Sequence, residues 1–147
     1  MAGNRGPGRI VKPEYPRSEL TGKIIGSAME VHRILGSGFQ EVIYQRALAK
    51  EMTLRGISFS REHEMEICYK GEPIGARRVD FFVEGQVMVE IKAVIELQDI
   101  HLAQAINYLE AYDLDVGLLI NFGSRSLQFK RVMKPNKSQP IKKSFKS

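Results

Sequence analysis

The segment RRVDFFVEGQVMVEIKAV, residues 77–94, constrains the fold more than any other part of the sequence. Apolar residues recur at alternate positions on both sides of Glu84-Gly85-Gln86, a pattern typical of a β-hairpin. A loop of these three residues places apolar partners on one face, with Val79, Phe81 and Val83 opposite Ile91, Val89 and Val87. A two-residue loop would instead put acidic residues opposite valine. The hydrophobic pattern therefore predicts the three-residue loop.

The same register places Asp80 directly across from Glu90, with Lys92 on the face of Glu90. Two carboxylates in this arrangement lie roughly 5 Å apart and repel each other by on the order of 3 kcal/mol. Lys92 offsets part of this repulsion, and a divalent cation bound by both acids would offset more. Oxygen ligands favour Mg²⁺ or Mn²⁺ over zinc. An exposed hairpin face with an ordinary ion cluster would give the same pattern, so at this point both interpretations stand.

Two amphipathic helices precede the hairpin. The first has a possible N-cap at Ser18 and an apolar stripe that ends at Gly36, formed by Leu20, Ile24, Ala28, Val31 and Leu35. The second covers residues 40–55 and is stopped by Gly56. We expect its core-facing residues to be Ile43, Ala47 and Leu54, and its polar side to carry Glu41 and Tyr44.

The remaining elements are strands and one further helix. Alternating residues between Ile57 and Tyr69 indicate β-structure before the hairpin. A helix over residues 99–111 turns Leu102, Ile106 and Leu109 inward and carries His101, Gln104 and Tyr108 on another side. Residues 116–120 are wholly apolar, which suits a strand covered on both faces, and residues 128–133 form an edge strand. The order ααβββαββ predicts an α/β fold with a mixed central sheet flanked by helices.

The basic charge of the chain lies at its ends. The formal net charge is +5, but residues 1–19 and 134–147 together carry +7, and residues 20–133 carry −2. Both ends are rich in Gly, Pro, Asn and Ser. We therefore predict one folded domain over residues 20–133 between two flexible basic tails. Such tails can hold a polyanion loosely.

Cysteine content and hydropathy indicate the compartment. A single cysteine, Cys68, excludes an intramolecular disulfide framework. No apolar run is long enough for a spanning helix, and the N-terminal residues lack the apolar stretch of a secretory signal. We expect a cytoplasmic protein without a membrane partner.

Two motifs resemble those of a known enzyme superfamily. A D-x9-E-x-K pattern followed by Q-x-x-x-Y resembles the PD-(D/E)XK nucleases, especially their RecB-like branch, and is formed by Asp80, Glu90, Lys92, Gln104 and Tyr108. The helix opening G-F-Q-E-V-I-Y is similar to the GxxExxY group of that superfamily and contains Gly38, Glu41 and Tyr44. The resemblance extends over residues 20–131. It implies a restriction-endonuclease-like core.

The resemblance also implies roles for the residues that match. Asp80 and Glu90 would bind one or two Mg²⁺ or Mn²⁺ ions, Glu41 would complete the carboxylate shell, and the Ile91 carbonyl would be a further ligand. Lys92 would orient or deprotonate the attacking water and neutralise the transition state. Gln104 and Tyr108 would hold the active face together or contact the scissile strand. Val79 stands where the motif has proline, a change that leaves the ligands intact.

The leading hypothesis is a metal-dependent nuclease that hydrolyses DNA phosphodiester bonds. The main alternative is a catalytically silent module of the same fold that binds nucleic acid or a protein partner. Hydrolysis of another phosphorylated substrate is a third option. The charge of −2 on the folded part opposes tight duplex binding by a monomer. A homodimer would answer this objection by bringing two sets of basic tails onto one substrate.

Overall fold

The computed structural model describes residues 17–134, which form three helices and five strands in the predicted order. The helices are α1 (Ser18–Leu35), α2 (Glu41–Leu54) and α3 (Asp99–Tyr112). The strands are β1 (Phe59–Tyr69), β2 (Glu72–Val83), β3 (Val87–Lys92), β4 (Val116–Asn121) and β5 (Gln128–Met133). No helix in this part of the chain is both long and apolar enough to cross a bilayer. Apart from residues 17–19 and 134, the two predicted basic tails lie outside the described residues.

The five strands form one sheet in the order β1-β2-β3-β4-β5. Neighbouring strands are antiparallel except β3 and β4, which are parallel. Parallel neighbours need a long crossover, and α3 supplies it. The prediction of a mixed sheet flanked by helices is confirmed.

Each face of the sheet is covered by a separate apolar cluster. Helices α1 and α2 pack on one face through residues such as Ile24 and Leu48, and α3 packs on the other through Leu109. Strand β4 contributes to both clusters, because Leu118 faces the α1–α2 side and Leu119 faces α3. The prediction that this strand is covered on both faces is confirmed.

The predicted limits of α1 are correct at its C-terminus and wrong at its N-terminus. Gly36 follows the last helical residue with a φ of 70°, a conformation that glycine adopts without steric cost. Ser18 is not the N-cap. The cap is Arg17, whose carbonyl accepts the first helical hydrogen bond from the Thr21 N–H at 2.9 Å, and Ser18 is the first helical residue.

The predicted inward face of α2 is wrong at two of its three residues. Ala47 packs against the core as predicted, but Ile43 and Leu54 are exposed. The residues of α2 that are fully buried in the core are Tyr44, Leu48 and Met52. The sequence pattern places Tyr44 on a polar side, yet this residue is fully buried and stacks on Phe122. Burial is tolerated because its hydroxyl donates to the Gly36 carbonyl at 2.6 Å and accepts from the Phe39 N–H at 3.1 Å.

The hairpin has the predicted loop and register near its tip. Phe81 pairs with Val89 and Val83 pairs with Val87, with residues 84–86 between the strands. The pairing ends at Phe81 and Val89, so the predicted cross-strand pairs Asp80–Glu90 and Val79–Ile91 do not form. Val79, expected on the same face as Phe81, packs instead in the α3-side cluster. Strand β2 therefore changes face at Asp80.

Candidate active site

Strands β2 and β3 separate at Asp80, and its carboxylate replaces the lost backbone pairing. The Ile91 N–H donates to Asp80 Oδ2 at 2.8 Å. Gln45 on α2 donates from Nε2 to Asp80 Oδ1, also at 2.8 Å. Gln45 is only 6% exposed, so this bond is shielded from water. Both oxygens of Asp80 are thus fixed in direction by the fold.

Glu90 lies in β3 next to Asp80 and is 4% exposed. Burial, together with the negative charge of Asp80, raises the pKa of Glu90 to about 8. The charges of Arg77 and Lys92 oppose this shift only in part. The nearest Arg77 nitrogen is 3.5 Å from Glu90 Oε2, at the long end of the hydrogen-bonding range. The structure therefore brings two carboxyl groups together, and the nearby positive charges offset only part of the cost of ionising Glu90.

Glu41 and Lys92 approach this pair from different elements. Glu41 is the first residue of α2, and Lys92 is the half-buried last residue of β3. Loss of water raises the pKa of Glu41, the charge of Lys92 lowers it, and the charge of Asp80 raises it. These mutual effects place Glu41, Asp80 and Lys92 in one electrostatic neighbourhood.

Helix α3 brings the two remaining predicted residues to the same place. Gln104 and Tyr108 line a small space together with Glu90 and Lys92. Its volume of about 10 Å³ leaves room for at most one water molecule, so this is a packed contact and not a ligand pocket. All five residues predicted to be catalytic therefore meet where β2 and β3 separate. Their catalytic roles remain predictions.

Two residues of this site, Gln45 and Arg77, are not among the predicted ones. The Arg77 guanidinium lies 4.6 Å from the centre of the Tyr108 ring, and its buried Nε has no hydrogen-bond partner among the described residues. Arg77 directly precedes Arg78 in the run before Asp80, which is the only signal that could have indicated it. Gln45 gives no such signal, because its contact joins α2 to a strand 35 residues away.

The backbone after Lys92 is held by the end of β4. Asn121 is fully buried, and its side chain both accepts from the Val94 N–H and donates to the Val94 carbonyl, each at 2.9 Å. The Phe122 N–H donates to the Lys92 carbonyl at 2.9 Å. Gly123 packs so closely that a Cβ there would lie 2.4 Å from the Val94 carbonyl oxygen. The position of Lys92 thus depends on this brace, which we define as Asn121, Phe122 and Gly123.

The donor set of the site fits Mg²⁺ or Mn²⁺ held by few protein ligands. Within residues 17–134, no three or more His, Cys, Asp and Glu side chains are arranged as a complete metal cluster. Mg²⁺ commonly binds through one or two carboxylates and takes its other ligands from water and substrate phosphates. Asp80 and Glu90 match that arrangement. Ile91, predicted to contribute its carbonyl, follows Glu90 in β3 and is buried, and its N–H donates to Asp80 Oδ2.

Comparison with known proteins identifies relatives of this fold. The family model of the PD-(D/E)XK nuclease superfamily matches residues 18–132. The crystal structure of SSO0001 is similar to 90% of this chain, with a TM-score of 0.51 and 20% sequence identity, and the chain spans 64% of SSO0001. The crystal structure of a phage related exonuclease from Haemophilus somnus 129PT is similar over 89% of this chain and 83% of its own, with a TM-score of 0.39 and 10% identity. No curated protein matches the sequence.

Proposed function

The chain belongs to the PD-(D/E)XK nuclease superfamily, and on this premise we propose that it is a metal-dependent nuclease that hydrolyses DNA phosphodiester bonds. The observation that carries the proposal is the half-buried Asp80 beside the buried Glu90, at the point where β2 and β3 separate, with Lys92 close by. The proposal includes the finer assignment to the GxxExxY group within the RecB-like branch, and a cytoplasmic location.

Each site residue has a separate role in the proposed hydrolysis of a phosphodiester bond. Asp80 and Glu90 hold Mg²⁺ or Mn²⁺, with Glu41 and the Ile91 carbonyl as further ligands. When bound, such an ion supplies a more acidic water and stabilises negative charge on phosphate oxygens. Lys92 would either orient the attacking water as an ammonium group or, as a neutral amine, accept its proton. In both cases Lys92 is positively charged once the proton has moved and offsets negative charge in the transition state.

The residues around this group keep it in place. Asp80 is held by Gln45 and the Ile91 N–H, so its carboxylate needs little reorganisation. Gln104 and Tyr108 on α3 hold the active face together beside Glu90 and Lys92.

One observation favours the alternative, a catalytically silent module that binds nucleic acid or a protein. The guanidinium of Arg77 already supplies a cation 3.5 Å from Glu90. If this contact were permanent, the acidic pair would need no metal ion. A metal-binding measurement therefore separates the two functions.

We would titrate Mn²⁺ into the full-length protein by calorimetry and compare it with Asp80→Asn. Asp115→Asn is the matched control, because Asp115 is an exposed residue paired with Arg17. We expect saturable binding in the wild type and in the control, and its loss in Asp80→Asn. The same three proteins would then be screened for cleavage of single-stranded and duplex DNA and of RNA.

The outcomes distinguish the functions clearly. Cleavage that requires Mn²⁺ and Asp80 supports the nuclease, and a preference for RNA would overturn only the choice of DNA. Absence of Mn²⁺ binding at millimolar concentration, both without DNA and with an oligonucleotide present, would overturn the nuclease proposal and favour the binding module.

A further inference from the structure

An open groove between α2 and β1 has a lining that the proposed active site does not use. Its volume is about 480 Å³. Its charged lining residues are all basic: Arg46 and Lys50 on α2 and Arg61 on β1. Ala49, Leu54 and Phe59 provide an apolar floor, and no carboxylate from the described part of the chain lines the groove. We call this surface the basic groove.

The positive charges of the three basic groove residues are not neutralised by acidic side chains of the described residues. Among the described residues, none of them forms an ion pair with an acid. Arg46 and Lys50 are four residues apart on α2, so two like charges share one helix face and weaken the helix slightly. By contrast, the neighbouring Arg55 pairs with Glu51 at 2.7 Å. An anion bound from solution would offset the repulsion between Arg46 and Lys50.

The basic groove is close to the proposed active site through two elements. Arg46 lies about 8 Å along the helix axis from Glu41, the first residue of α2. Arg61 pairs across the sheet with Phe81, the residue after Asp80. A strand of several nucleotides bound at Asp80 is therefore long enough to reach the groove.

We propose that the basic groove binds the phosphate backbone of the nucleic-acid strand that enters the active site. The inference rests on the proposed function for its ligand, since a polyanion at Asp80 is what the nearby cations would meet. It also explains how a domain with a net charge of −2 can hold DNA, because three of its basic residues line one groove in which no carboxylate from the described part of the chain takes part. The apolar floor contacts sugars and bases without reading sequence.

The test measures binding of a fluorescent DNA oligonucleotide to the full-length protein in EDTA, where no cleavage occurs. The variant Arg46→Gln/Lys50→Gln/Arg61→Gln removes the three charges. The matched control Lys23→Gln/Arg125→Gln/Lys130→Gln removes three exposed charges outside the groove and gives the same net charge. Single-stranded and duplex DNA are separate arms.

We expect the groove variant to lose at least about tenfold in affinity, and the slope of log Kd against log salt to fall by about 2 to 3. The control should change both quantities much less. Replacing Arg46 and Arg61 with lysine should restore most of the affinity, because backbone contact needs charge more than shape. Thermal unfolding should show that the glutamine variant folds, since all three side chains lie at the surface of the groove.

Equal affinity and equal slope in the groove variant and the control would overturn the proposal, as would a wild type that binds neither form of DNA. Failure of the groove and failure of the nuclease proposal are separate results. Binding in EDTA does not depend on hydrolysis, so a groove that binds DNA in a protein without cleavage activity supports the inference alone. Cleavage with an unaffected groove variant supports only the nuclease.

Discussion

The raised pKa of Glu90 follows from its burial in the sheet. Glu90 is only 4% exposed and lies next to Asp80. Both conditions disfavour its ionised carboxylate, so the pKa of Glu90 rises to about 8. Gln45 holds the neighbouring acid in place, because its amide donates to Asp80 Oδ1 at 2.8 Å. Two carboxyl groups in contact thus have different environments, which is common at sites that bind ions or transfer protons.

Glu90 should make the metal-free protein less stable as the pH rises. The folded-state pKa is above the unfolded value, so the folded state keeps the proton that the unfolded state releases between about pH 4.5 and pH 8. Its contribution to the free energy of unfolding is therefore fully present below pH 4.5 and is lost as the pH rises to about 8. We expect Glu90→Gln in EDTA to be less sensitive to pH over this range and more stable than wild type at pH 8.

Urea unfolding at pH 5 and pH 8 measures this difference, with Glu96→Gln, an exposed residue, as the control. The control should keep the wild-type pH dependence. A Glu90→Gln protein that loses as much stability between pH 5 and pH 8 as the wild type would contradict the buried neutral form of Glu90.

Gln45 should matter for metal binding although it does not contact the ion site directly. Gln45→Ala leaves one oxygen of Asp80 without its buried donor, at a cost of about 1–3 kcal/mol in the free energy of unfolding. Supporting residues of this kind typically change metal affinity by about 10–100-fold. Gln40→Ala is the control, since Gln40 is exposed and makes no side-chain cap. Mn²⁺ calorimetry that gave the same Kd for both variants would show that Asp80 needs no support.

The elements of the fold meet at the site through their ends. Strands β2 and β3 separate at Asp80, α2 begins at Glu41, and the brace at the end of β4 fixes the backbone that follows Lys92. Asp80 itself lies inside β2, which stays paired with β1 on its other side. The site is therefore built where the β2–β3 pairing stops and where α2 begins.

Gly123→Ala should disturb the site from a distance. The new Cβ would lie 2.4 Å from the Val94 carbonyl oxygen and 2.5 Å from the Val94 nitrogen, both backbone atoms that cannot rotate away. We expect a loss of about 1–3 kcal/mol in the free energy of unfolding and weaker DNA cleavage, because Lys92 shifts with the loop.

Gly75→Ala in β2 is the matched control, since no atom of the described residues lies within 4 Å of the Cβ that alanine would add there. The substitution should leave stability within about 1 kcal/mol of wild type. Chemical denaturation and a cleavage assay on both variants provide the measurement. Equal free energies of unfolding and equal cleavage in the two alanine variants would show that the brace accommodates the added Cβ.

Charge is distributed unevenly over the whole molecule. The folded part carries −2, the ends carry +7, and the basic groove gathers three of the cations of the folded part. Association with a polyanion should therefore depend strongly on salt, whereas hydrolysis should depend on Asp80. If the protein has the proposed function, binding and chemistry should therefore be separable by mutation.

Neutralising the C-terminal lysines should weaken DNA binding without abolishing hydrolysis. We expect Lys142→Gln/Lys143→Gln/Lys146→Gln to lower the slope of log Kd against log salt by up to about 3, because each lost phosphate contact releases about one fewer counterion. Cleavage at saturating DNA should remain within a fewfold of wild type, whereas Asp80→Asn should lose cleavage and keep binding. Titrations at several salt concentrations measure the slope, and an unchanged slope would exclude the tail from the complex.

Short-range patterns predicted most of the fold. Alternation around residues 84–86 predicted the hairpin loop and its register at the tip, and the apolar run of β4 predicted a strand covered on both faces. The same patterns were wrong at α2, where Ile43 and Leu54 are as apolar as the Leu48 and Met52 that reach the core. A helix with apolar residues on several sides does not show which side is buried until its neighbours are placed.

The sequence by itself determined the order of the elements and the candidate acids and lysine, because both depend on residue type and on spacing within a few turns or strands. Only the tertiary structure decided the surroundings of those residues. The change of face at Asp80, the bond from Gln45, the contact of Arg77 with Tyr108 and the basic groove all join segments far apart in the chain. Burial and electrostatic coupling depend on distance in space, which local periodicity does not encode.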